Sequence, residues 1–155
     1  MRGSRPDGTR TRRADTHHVV LWGARLLAAA GLALDASVHA DLAPQYDLVT
    51  AAWSEGSLFR VEAALASLAA LLVLVWPRLV SYAFGFVVAV GGLGLILVYR
   101  YEDLGELGPL PDMYEPVWFT EKWIAVIGQS AAIVGTSVLL LSVWHSRRTR
   151  GRDLK

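Results

Sequence analysis

An all-α, polytopic four-helix membrane bundle is expected from three features of the 155-residue chain. Four apolar runs, 19–40, 58–76, 79–99 and 123–144, each approach the roughly 20 residues that carry a helix across ~30 Å of hydrocarbon. The charged residues, 19% of the chain, are swept out of those runs into tails and loops, while 54% of the chain is hydrophobic. The basic residues also gather at one side of the runs. Mean hydropathy is +0.38, high for a water-soluble domain. The chain has no cysteine, which excludes disulfide scaffolds, thiolate metal sites and thiol redox chemistry.

The first run follows a basic leader, 1–18. Val38-His39-Ala40 has the small residues of a signal-peptidase site, but Arg25 and Asp35 interrupt the stretch and it exceeds an ordinary signal core. A retained helix is expected. The second run is rich in alanine, and Pro77-Arg78 leaves so short a turn after it that the second and third helices are antiparallel neighbours. The third carries Ser81, Gly85, Ala89 and Gly92, and the fourth Ala125, Gly128, Ala132 and Gly135. Helices in lipid gain little from hydrophobic association, so such small residues supply close packing. The connection 41–57 holds an amphipathic stretch, Tyr46, Val49, Thr50 and Trp53, expected to form a short interfacial helix. The connection 100–122 is acidic, and Gly105, Gly108, Pro109, Pro111 and Pro116 deny it a long helix.

Charge orients the bundle. Arg2, Arg5, Arg10, Arg12, Arg13, Arg78, Arg147, Arg148, Arg150, Arg152 and Lys155, eleven of the fifteen basic residues, fall on one side. The positive-inside rule makes that side, the leader 1–18 and the tail 145–155, cytoplasmic. The tails lack interleaved aromatic residues and any reader motif, so their partner is expected to be the anionic lipid surface and not nucleic acid.

Polar residues at membrane depth mark the candidate site. Arg25, Asp35 and His39 share one face of the first helix by their spacing. Asp35 and His39 lie toward its non-cytoplasmic end, where Glu62, Glu121, Arg60 and Arg100 also return. Four antiparallel helices are expected to bring Asp35, His39, Glu62 and Glu121 to one mouth. An Asp–His pair at i and i+4 can hydrogen-bond, ligate a metal or relay a proton. One reading is a satisfied polar network in which Asp35 holds His39, and Arg60, Arg100 or Lys122 pairs with Glu62. A second is a pocket for a quinone- or lipid-like molecule, with Trp22, Trp53, Trp118 and Trp123 as lining. A third is a divalent metal on Asp35, His39 and Glu62, or a proton-coupled role for the same residues. No phosphate loop, nucleophile elbow or paired haem ligation is present, so no catalytic residue is assigned.

Four short helices, the segment Arg25-Leu-Leu-Ala-Ala-Ala-Gly31 and a polar end to the first helix resemble the DoxX-type small membrane proteins of bacteria. The resemblance implies a four-helix bundle associated with quinone-linked redox complexes, and it supplies no catalytic residue. The Ala- and Arg-rich, Lys-poor composition also resembles that of a high-GC bacterium. The expected protein is a non-enzymatic accessory subunit, or ligand binder, of the bacterial inner membrane, working with other membrane subunits.

Overall fold

The computed structural model describes the backbone of residues 8–152 and the side chains of 17–148. Arg2, Arg5 and Lys155, and the side chains of Arg10, Arg12, Arg13, Arg150 and Arg152, lie outside the described residues. Four helices account for most of the chain: α1 Gly8–Leu42, α2 Glu55–Val75, α3 Leu79–Tyr101 and α4 Thr120–Arg152. All four are long and apolar enough to cross a membrane. Among the described residues there is no strand, only two isolated bridges in the loops.

The helices form a square in chain order, each packed on the next, with α4 closing against α1. Neighbours run antiparallel. Gly135 meets Ala24 while Gly128 meets Gly31, and Val73 meets Gly85 while Glu62 meets Gly92. Long connections, 43–54 and 102–119, cap one end of the square; the short turn 76–78, the start of α1 and the end of α4 belong to the other.

The distribution of side-chain size is inverted relative to a water-soluble bundle. Ala28, Ala66, Ala69, Ala89 and Ala132 are completely buried, whereas Val19, Leu71, Leu95, Ile127 and Leu141 are more than half exposed. Such a surface has no stable place in water, and a hydrocarbon solvent matches it. The small interior lets α1 and α4 approach backbone to backbone. A Cβ at Gly135 would stand 2.6 Å from the Ala24 carbonyl oxygen and 2.8 Å from the Ala28 nitrogen, closer than any side chain can sit.

Each helix end has a local cause. Ser54 caps α2, its Oγ accepting from the Ser57 N–H at 3.1 Å. Pro77 stops α2, and the Ser81 hydroxyl donates to the Trp76 carbonyl across the turn at 2.7 Å. The short helix expected around Tyr46–Trp53 does not form. A 3-10 turn, Ala43–Tyr46, opens the connection instead, and 47–54 is turn and bend. Two tertiary contacts explain this: the Tyr46 ring packs on Phe59 at 4.9 Å, and the Trp53 N–H donates to the Pro109 carbonyl at 3.1 Å. The two long loops are thereby tied together over the end of the bundle. Within the second loop Gly105 and Gly108 hold φ near +60°, and its backbone stays irregular as its glycines and prolines predict.

Candidate functional site

Asp35 and Gln129 tie α1 to α4 at the loop end of the bundle. Both are completely buried, and Gln129 Nε2 donates to Asp35 Oδ1 at 2.9 Å. His39, one turn further along α1, brings Nδ1 to 3.0 Å from the Asp35 carbonyl oxygen and 3.1 Å from Oδ1. A carbonyl oxygen can only accept, so Nδ1 carries a proton. Glu62 reaches the same place from α2 and faces both Asp35 and His39. A Cβ at Gly92 of α3 would collide with Gln129 Nε2 and stand 2.8 Å from Glu62 Oε1, so the glycine makes room for both side chains. All four helices thus contribute to one polar layer.

That layer is short of donors. Asp35 Oδ2, Glu62 Oε1 and Gln129 Oε1 are buried with no hydrogen-bond partner. Above it opens a cavity of about 290 Å³ with His39 and Glu62 on its floor. Phe59, Ile96, Tyr99 and Phe119 form walls, and Glu55, Glu115 and Lys122 stand nearer the loops. No protein-family model, curated protein or solved structure matches the chain.

The other residues expected at this mouth are engaged elsewhere. Arg60 makes a two-pronged bridge to Asp47, both N–O distances 2.7 Å, on the surface and away from Glu62. The guanidinium holds the Asp47 carboxyl below its ordinary value of 3.8, so this exposed pair persists in mild acid and is lost only as the pH falls through that lowered value. Lys122 donates to the Glu115 carbonyl at 2.7 Å. Arg100 lies over the rings of Tyr101 and Trp118, its Nε buried without an acceptor. Glu62 consequently has none of the three basic partners expected for it. Glu121 is exposed and outside the cavity lining.

Arg25 stands at the opposite end of the bundle. Its Nε donates to the Val73 carbonyl at 3.3 Å, its Nη2 to the Leu74 carbonyl, and its guanidinium lies 4.4 Å from the centre of the Trp22 ring. Sharing a helix face with Asp35 does not make it a neighbour, because ten residues of helix rise about 15 Å. Arg25 instead closes the C-terminal carbonyls of α2, where a cation is favoured.

Asp35, His39 and Glu62 come together, yet among the described residues no three His, Asp or Glu side chains converge as a metal-ligating group. None of Trp22, Trp53, Trp118 and Trp123 lines the cavity. Trp118 and Trp123 stack on each other at 4.4 Å, and Trp53 is half exposed. The aromatic lining comes from Tyr46, Phe59, Tyr99 and Phe119 instead. Sequence reasoning misses Gln129, and only its register could have pointed to it: Lys122, Ala125, Gln129, Ala132, Thr136 and Leu139 follow a three–four spacing, and all are buried. An uncharged amide within an apolar run gives a weaker signal than a carboxylate does.

Proposed function

We propose that this chain is a small multi-pass protein of the bacterial inner membrane that holds an amphipathic, quinone- or lipid-like molecule in the cavity above Glu62 and His39. Its role is that of a non-enzymatic accessory subunit or ligand carrier, related to the DoxX-type proteins and working with other membrane subunits. One observation carries the reading: a cavity with apolar walls ends on a few convergent polar groups, the usual form of a small-molecule site between helices. Native mass spectrometry of the protein taken from membranes in mild detergent tests it. The expected result is a bound organic mass that disappears in Ile96→Trp, which fills the cavity, while helix content is retained. A full-length chain that carries nothing in either form would sink the proposal.

Both chain ends are assigned to the cytoplasm, on the strength of the arginines that flank the spans there. The absence of cysteine makes this simple to check. In intact cells a membrane-impermeant maleimide is expected to label Leu107→Cys, in the long loop, and to reach Ser146→Cys only after permeabilisation. The reverse pattern would invert the topology and turn the cavity toward the cytoplasm.

A proton-coupled role for Asp35, His39 and Glu62 is the second reading, favoured by the three buried acceptors that lack donors. A divalent metal on the same three residues has no comparable support.

A further inference from the structure

We infer that the cavity takes an amphipathic organic cation, an ammonium head seated on Glu62 and His39 with an apolar body among the aromatic walls. This rests on the reading of the cavity as a site for an amphipathic molecule and assigns its head as an amine in preference to a quinone carbonyl or a lipid phosphate.

The first ground is the balance of donors and acceptors. His39 commits its Nδ1 proton to Asp35, and its ring lines the cavity. Glu62 offers only carboxylate oxygens. Behind them, closed off from the cavity, Asp35 Oδ2, Glu62 Oε1 and Gln129 Oε1 are already without donors, so the layer has none to spare for an acceptor in the cavity. A carbonyl head would bring one more acceptor to a layer that has too many. An ammonium brings up to three donors together with a positive charge. A proton bound at the carboxylates would answer the same deficit, so proton and head compete for one place.

The second ground is charge. Glu55, Glu62 and Glu115 line the cavity against a single ammonium, Lys122, which is held by the Glu115 carbonyl and lies 5.1 Å from the centre of the Phe119 ring. Glu55 is only 6% exposed, lines the cavity, and makes no side-chain hydrogen bond among the described residues. A carboxylate that opens only onto an apolar-walled cavity lacks a paired charge there, and a cation in the cavity supplies one.

The third ground is the wall. Tyr46, Phe59, Tyr99 and Phe119 surround the space, and ring faces attract organic ammonium ions once water is removed. Aromatic rings and carboxylates together are the combination that recognises such heads. The volume of about 290 Å³ stands at the low edge of ligand sites, which fits a head and a short body. An aminophospholipid also carries an amine, but its phosphate would stand beside Glu55 and Glu115 and be repelled. The head is therefore assigned to a phosphate-free amine.

The test uses the full chain in a neutral detergent at neutral pH, with decylammonium, 1-decanol, decanoate and a short-chain phosphatidylethanolamine as probes. Calorimetry reads binding, counted as the part that Ile96→Trp abolishes. Decylammonium is expected to bind about tenfold or more tighter than decanol, with decanoate weakest. Glu62→Gln is expected to remove about tenfold of the cation's affinity and leave decanol unchanged. If Glu62→Gln loses helix content, Glu55→Gln carries the same expectation. Equal affinity for cation and alcohol overturns the head assignment and leaves the cavity as an apolar ligand site. Binding of none of the probes removes the ligand site and the cation with it. Phosphatidylethanolamine as tight as decylammonium overturns the phosphate-free head, and a cation preference that survives in both variants overturns the carboxylate seat.

Discussion

A leucine at Gly31 is expected to abolish most of the folded bundle in detergent, whereas a leucine at Gly23 leaves it unchanged. Both glycines lie on α1, and they differ in what a side chain would meet. At Gly31 a Cβ would run into the Gly128 carbonyl oxygen and stand 2.8 Å from the Ala132 nitrogen and 3.3 Å from the Ala131 Cβ. At Gly23 it meets nothing within 4 Å. The obstacles at Gly31 are backbone atoms of α4, which cannot turn aside as a flexible side chain does. The two helices must separate. Overpacking of a tight interior costs about 1–3 kcal/mol, and an obstacle made of backbone places this case at the upper end. Membrane helices gain little from hydrophobic association, so the dispersion attraction forfeited across the widened seam is a large part of what joined them. The separation also pulls on the Asp35–Gln129 hydrogen bond, one turn away. Thermal melting and gel-filtration profiles of the two variants check this. If Gly31→Leu melts with the wild type, close backbone approach does not hold α1 to α4.

Hydropathy makes the helices legible because a spanning helix must be apolar over its whole circumference. It locates them less well at their ends. α1 begins at Gly8 and α4 reaches Arg152, beyond the runs 19–40 and 123–144, because a helix need not stop where its apolar residues do. The Asp35–His39 pair is legible from a spacing of four along one helix. The partners of Arg60 and Lys122 are not: these are long side chains, and the loops decide what comes within reach. Asp47 and the Glu115 carbonyl arrive through the folding of 43–54 and 102–119, which no periodicity encodes. Residue type alone points the tryptophans toward the cavity. The structure sets Trp22 against Arg25 and Trp118 against Trp123, and leaves the lining to smaller rings.

Gln129→Leu is expected to destabilise the bundle by about 1.5–3 kcal/mol, the range for a hydrogen bond to a charged group. Two magnitudes compete here. Interhelical hydrogen bonds in membrane proteins average about 0.6 kcal/mol, because the separated helices find other partners. Removing one partner of a buried ion pair costs about 3–5 kcal/mol, because the remaining charge finds none. Asp35 lies between these limits. It is completely buried and Oδ2 has no donor, but His39 still serves Oδ1 after Gln129 is gone. The double variant Asp35→Leu with Gln129→Leu is expected to be more stable than the sum of the two single changes predicts, since replacing both partners by apolar groups leaves less unsatisfied. Additive losses would show that the pair is not coupled. A sharper comparison sets Gln129→Glu beside Gln129→Leu. Glutamate is the closer match in shape, and on packing alone it is the milder change. It nevertheless replaces the donor Nε2 by another acceptor, in a layer where Asp35, Glu62 and Gln129 already hold three oxygens without donors. At neutral pH Gln129→Glu should therefore melt below Gln129→Leu. The opposite order would mean that packing, not a shortage of donors, governs this layer, and the cation assigned to the cavity would lose its first ground.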